Sequence, residues 1–186
     1  MSILKIALMG HPVLLQPAEP VDDPRSPEIA RLVADMVETL EDVRGRGLAA
    51  PQVHVSKRVV VFYTSLQEDE DTPEGPETLT VLINPEIEVL TEEDEDGWEG
   101  CLSVPSMRGV VRRATRVRYR GVDLTGAPIE REATGHHARV VQHECDHLDG
   151  ILYPMRMEDL GLLLFESELP HFMAMAAEGA GDAEEA

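Results

Sequence analysis

Positive charge is scarce in this sequence: 16 Lys and Arg stand against 36 Asp and Glu, a formal net charge of −20 over 186 residues. A surface of that sign argues against a nucleic-acid backbone or an anionic membrane as the main partner. Cysteine is scarcer still. Cys101 and Cys145 alone make no disulfide framework, which fits a reducing compartment. No run of ~18 apolar residues occurs, so no segment reads as a membrane-spanning helix. The opening apolar stretch holds Lys5 and is cut by Gly10 and Pro12, unlike a secretory signal. A cytoplasmic location is therefore expected. Aromatic residues make up only 4%, yet 42% of the chain is hydrophobic, too much for a disordered acidic polymer. At this length roughly 70% of the unfolded surface can be buried, enough for one domain with a core of its own.

Residues 3–9 read as a strand or extended segment, and Pro17, Pro20, Pro24 and Pro27 keep the next stretch out of helix. Ser26-Pro27 is a helix start, a capping hydroxyl followed by proline in the first turn. Behind it Ile29, Leu32, Val33, Met36, Val37, Leu40 and Val43 recur at helical spacing. Residues 59–63 read as a buried strand, and 79–84 and 86–90 as two strands around Pro85. The stretch 67–78 holds six acidic residues, two prolines and a glycine, and reads as a solvated loop. Val117 and Tyr119 alternate with Arg116, Arg118 and Arg120, a strand with one wet face, and Gly121 and Gly126 suggest hairpins. Helices are expected over about 135–148 and over 158–169, the second ending at Pro170. The expected class is α+β: one catalytic domain over 1–172, antiparallel sheets around a central helix, and an acidic, disordered tail over 173–186.

Gln142-His143-Glu144-Cys145-Asp146-His147 carries the chemistry. In a helix, residues four apart share a face, so His143 and His147 can aim two imidazoles at one metal ion. Glu144 then reaches an ion-activated water as general base. The bland alternative is a helix with two solvated histidines. A catalytic site needs a third ligand. The metzincin continuation fails, since Tyr153 stands where its last histidine belongs. A thermolysin-like zincin would use a downstream carboxylate, and Glu166 lies 19 residues after His147. The third candidate is Cys101, a soft ligand suited to zinc or ferrous iron, next to Glu99 and Gly100. Cys145 points off the ligand face and reads as a core thiol. The glycines of 45–52 are no phosphate cradle, because the Lys and Ser/Thr of that motif are missing.

Three segments, Gly45-Arg46-Gly47-Leu48-Ala49-Ala50-Pro51-Gln52, Glu99-Gly100-Cys101-Leu102-Ser103 and the His-Glu-x-x-His stretch, resemble the signature motifs of the peptide deformylases, in that family's order. The opening segment with Gly10, Pro12 and Leu14 also resembles the family's start, so the similarity covers the chain from near residue 3 to near residue 155. The resemblance implies Cys101, His143 and His147 on a divalent metal, usually ferrous iron, with zinc, nickel or cobalt as substitutes. It implies hydrolysis of the formyl amide of N-formyl-methionyl nascent peptides by metal-bound hydroxide, releasing formate. Glu144 is the expected general base and acid, with the Gln52 amide and the Leu102 N–H on the developing oxyanion. The substrate is expected to lie as a strand along Arg46 and Gly47, with Gly100 opposite. His136 and Val140 are expected in the methionine pocket wall, with Arg46 and Glu99 near the rim.

His54 and His136 depart from the family pattern, and Arg108 reads as a holder of substrate or loop, or as one more surface arginine. A specialised deformylase acting on another formylated amine, a zincin peptidase using Glu166 and a structural metal module remain alternatives. No membrane and no specific nucleic acid is expected as partner. A transient ribosome contact is expected to use the arginine-rich strand 112–120 rather than the acidic tail.

Overall fold

The computed structural model describes residues 2–65 and 77–184, with Ser65, Glu77 and 177–184 described by backbone alone. The acidic stretch 67–78 thus falls almost wholly outside the described residues. Helix α1 (Pro27–Asp42) begins as its sequence dictates: the Ser26 hydroxyl accepts from Ile29 N, and Pro27 fills the first turn. Its buried stripe is Ile29, Val33, Met36 and Leu40.

A five-stranded antiparallel sheet runs in the order β1 (Gly47–Ala49), β2 (Val59–Ser65), β3 (Glu77–Val89), β6 (Arg116–Val122), β7 (Pro128–Thr134). Side chains alternate across a strand, and β2 uses both faces. Val59 and Val61 pack toward the α1 residues, whereas Val60 and Phe62 pack toward helix α2 (Gly135–Leu148). Helix α2 therefore lies against one face of this sheet and α1 against the other. A second sheet of β4 (Asp94–Cys101), β5 (Val104–Ala114) and β8 (Leu164–Phe165) forms the opposite wall, and α2 also reaches β5. A third apolar cluster of Val104, Val111 and Tyr153 joins that wall to the chain following α2.

Four expectations are corrected. The two strands around Pro85 are one strand, β3, with a register shift between Ile83 and Glu86 and Asn84 at φ 51°. Proline has no N–H to give the ladder, so the strand bulges there rather than ending. Gly121 lies inside β6, and the hairpin turns at Gly126 instead. Residues 158–169 make no α-helix. They form a 3-10 turn at Leu160–Leu162, then β8, then a 3-10 turn at Glu166–Glu168. β8 takes the free edge of β5, pairing Met107 with Phe165 and Arg108 with Leu164, and pairing that distant edge overrides the local spacing. Helix α3 (Leu169–Glu184) starts around Pro170 rather than ending there, and it takes in most of the segment read as a disordered tail. The first turn is where proline suits a helix.

Residues 3–9 are extended without joining either sheet. Ala7 N donates to Gln52 O at 2.7 Å and Met9 N to Ser103 O at 2.8 Å, which stitches two site-bearing loops together. No helix among the described residues is long and apolar enough to cross a membrane.

Candidate metal centre

α2 places His143 and His147 one turn apart, their rings edge to face at 5.0 Å between centroids. β4 ends at Cys101 opposite them. The ligand atoms of Cys101, His143 and His147 all lie within 4.8 Å of one another, and Cys101 Sγ is 3.3 Å from His147 Nε2. A thiol and two imidazoles converging on one point suit zinc or ferrous iron. Glu166 is not part of this cluster. It pairs with Arg108 at 2.7 Å, which removes the third ligand of the zincin alternative.

The surroundings fit an ion. His143 Nδ1 meets Glu99 Oε2 at 2.8 Å. Burial alone would favour a neutral Glu99, but hydrogen bonds from Arg113 and His143 prevail and hold its pKa down to about 2. An ionised carboxylate only accepts, so Nδ1 carries the proton and Nε2 is left for the ion. Burial also works against charge on His143, yet the Cys101 and Glu99 hydrogen bonds outweigh it and hold its pKa up at about 10 in the ion-free site. Burial and the neighbouring His143 push His147 well down. Binding an ion through both rings therefore displaces a proton. Cys101 Sγ also receives Ser103 N and Gln52 Nε2, each at 3.4 Å.

A cleft of about 460 Å³ opens onto this cluster, lined by Arg46, Gly47, Gln52, Glu99, Gly100, Leu102, His136, Val140 and Glu144 among others. Cys101 and His143 line the same cleft, and His147 completes the ligand cluster beside it. Glu144 is buried, and its Oε2 has no hydrogen-bond partner among the described residues. Burial first, and Glu99 further, push its pKa up, with His143 opposing, to about 7. Gln52 is fixed by Ala49 N on Oε1 at 2.8 Å and by its Nε2 on Ser103 Oγ at 3.3 Å. Leu102 sits in the turn joining β4 to β5, and Val43, the C-cap of α1, also lines the cleft. Glu99 does not stand at the rim as expected. It is 5% exposed, and its carboxylate takes Arg113, Arg139 and His143. His136 is exposed at the mouth, while Val140 is buried deeper. Cys145 is a core thiol, its pKa pushed far up by burial. Arg108 is no solitary surface charge: it lines the cleft beside Gly100, held by Glu166.

Sequence reasoning missed Arg113, Asp146 and Arg156. Arg113 Nε and Nη2 hold Glu99 at 2.9 and 3.0 Å, and Nη1 holds Asp146 at 2.5 Å. The available signal was period two in β5. Gly109, Val111 and Arg113 share the buried face, and an arginine in a buried stripe needs a carboxylate partner.

A family model described as polypeptide deformylase matches residues 3–162. Peptide deformylase 1 of Nitrosomonas europaea is 54% identical over 162 residues, covering 85% of this chain and 89% of that protein. Peptide deformylase 2 of Ralstonia nicotianae is likewise 54% identical, covering 84% and 88%. Among solved structures, the class I type b peptide deformylase of Acinetobacter baumannii with Met-Ala-Ser bound superposes with a TM-score of 0.75 at 39% identity, covering 83% of this chain and 98% of that one. The actinonin-bound form gives 0.74 at 38% identity, covering 85% and 100%. With the three motifs converging on one metal-ligating cleft, and with relatives this similar over most of its length, the chain belongs to the peptide deformylase family.

Proposed function

We propose that this chain hydrolyses the formyl amide of N-formyl-methionyl peptides, with Glu144 as general base and acid. One observation carries the reading: a buried carboxylate with a free oxygen and a pKa near 7 lies beside a Cys-His-His ligand set, in the same cleft as Gln52 and Leu102. Cys101, His143 and His147 would hold a divalent ion, which would supply Lewis acidity to the attacking water and to the carbonyl. Ferrous iron is the ion proposed, on the resemblance to the family, and the thiol-imidazole ligand set suits it as it also suits zinc. Glu144 accepts the water proton as the new C–O bond forms, then delivers it to the amine as the C–N bond breaks. Formate and a free methionyl amine result.

The Gln52 amide and the Leu102 N–H line the cleft where the carbonyl oxygen gains charge, and one such donor is typically worth about 3 kcal/mol. Arg46, Gly47 and Gly100 flank an extended peptide, and Val140 with His136 contacts the methionine side chain. The Acinetobacter relative with Met-Ala-Ser bound supports a peptide ligand beginning with methionine. The catalytic domain in this reading is 1–172, with 173–186 an appendage, and the protein works in the cytoplasm. A transient ribosome contact belongs to the same reading. Arg116, Arg118 and Arg120, on the strand expected to make it, are paired with Glu88, Glu130 and Glu132, which leaves that strand little unpaired positive charge.

The test is formate release from formyl-Met-Ala-Ser by protein loaded anaerobically with iron. Glu144→Gln should bind the ion as tightly and lose roughly 10²–10⁴ in kcat/KM. Release from another formylated amine, with none from formyl-Met-Ala-Ser, would overturn the substrate assignment.

A further inference from the structure

Behind the metal centre a chain of charged groups runs outward to solvent. His143 Nδ1 meets Glu99 at 2.8 Å. Glu99 is gripped in two places by Arg113, whose remaining Nη1 meets Asp146 Oδ2 at 2.5 Å. Asp146 is only 7% exposed, and Arg156 closes on both its oxygens, Nε at 2.5 Å and Nη2 at 2.6 Å. Arg156 is the outermost member, its side chain 42% exposed, just past the 3-10 turn Tyr153–Met155.

We propose that Arg156 is a positioning residue for the metal ligand His143, acting through Asp146, Arg113 and Glu99. The inference rests on reading Cys101, His143 and His147 as the metal site. Arg113 is pulled from two sides, by Glu99 toward the metal centre and by Asp146 away from it. Its guanidinium is planar and rigid, so a gain on one side is a loss on the other. Arg156 satisfies Asp146 from outside and so leaves Arg113 square on Glu99. Arg139 helps from the other flank, donating to Glu99 Oε1 at 3.0 Å and to the carbonyls of Glu95 and Val111 at 2.7 Å each. Three guanidiniums thus face two carboxylates. Held from both flanks, the Glu99 carboxylate stays where it meets His143 Nδ1 at 2.8 Å, which fixes the ring with Nε2 turned toward the ligand cluster.

Without Arg156, Asp146 carries a buried charge met by Arg113 alone. Arg113 then shifts toward Asp146, its grip on Glu99 slackens, and the His143 ring loses its fixed orientation. Groups that orient a metal ligand typically change metal affinity 10–100-fold when removed. Arg156 acts one pair further out, so a loss of about three- to tenfold is expected.

The experiment is zinc titration of the full chain against a chelator of known affinity, for wild type, Arg156→Gln, Arg156→Lys and Arg112→Gln. Arg112 neighbours Arg113 on β5 but among the described residues pairs with the exposed Asp94 and Asp96, so it is the control. The downfield Nδ1–H proton resonance of His143 in the zinc-loaded protein is followed in parallel. Arg156→Gln should weaken zinc three- to tenfold and broaden or shift that resonance. Arg156→Lys, with its single ammonium, should recover part of both, and Arg112→Gln should match wild type. An unchanged zinc affinity and resonance in Arg156→Gln, whatever its melting temperature, overturns the proposal. Failure of the underlying site reading looks different: wild type itself would bind cobalt without a thiolate charge-transfer band.

Discussion

At the scale of single residues, Glu99 links the site's chemistry to the protein's stability. Its carboxylate joins one metal-ligating histidine to two arginines, and those partners hold its pKa at about 2. A carboxyl depressed in the folded state stabilises the fold above its unfolded pKa, and that contribution fades as pH falls toward the folded value. The window here runs from about pH 4.5 down to 2, and the contribution lost is on the order of 3 kcal/mol. Urea unfolding of ion-free protein at pH 7, 4 and 3 should show this loss. Glu99→Gln, which cannot titrate, should be less stable at pH 7 but flatter across the window. A parallel pH profile in the two proteins would contradict it. Glu99 was legible as a group that could orient a ligand. Its real neighbours were not, because Arg113 and Arg139 lie 14 and 40 residues away in sequence.

At the scale of elements, the site is built where strand ends meet one helix. β1 brings Gly47 so close to Glu144 that a Cβ there would overlap the carboxylate. On β4, a Cβ at Gly100 would stand 2.7 Å from Arg108 Nη1. Glycine is used at both places for close approach. Gly47→Ala should displace Glu144 and lower kcat/KM by about 10²-fold while zinc content stays at wild type, measured by steady-state kinetics and metal analysis. Full activity in that variant would show that the carboxylate tolerates displacement. Helices α1 and α2 were legible because capping and periodicity are local. β8 was not, because it exists by pairing with β5 across more than fifty residues.

For the whole molecule, the ion and the fold are coupled. Its ligands come from the end of β4 and from α2, so an ion ties the second sheet to the central helix. An ion free at a hundred times its dissociation constant adds about 2.7 kcal/mol. Chelation should therefore lower the melting temperature by roughly 5–10 °C for a chain of this size, read by calorimetry. Cys101→Ser should start lower and respond less to chelator; an equal response in both would argue against Cys101 as a ligand. The charge of −20 belongs elsewhere. On the β3-β6-β7 face the arginines are matched by glutamates, and at the site Arg113, Arg139 and Arg156 answer Glu99 and Asp146.

The sequence by itself determined the two principal helices and the placing of His143 and His147 on one helix face, because capping and helical periodicity act through the nearest few residues. Cys101 as third ligand, and the roles proposed for Glu144, Gln52 and Leu102, came from the resemblance of short motifs to the family. Tertiary structure alone decided that Glu99 turns inward, that residues 164–165 become an edge strand, and that Arg113, Asp146 and Arg156 stand behind His143. Those outcomes depend on which buried charge meets which partner. The cost of leaving a buried charge unpaired selects the pairing only once the sheets and α2 have brought distant residues together.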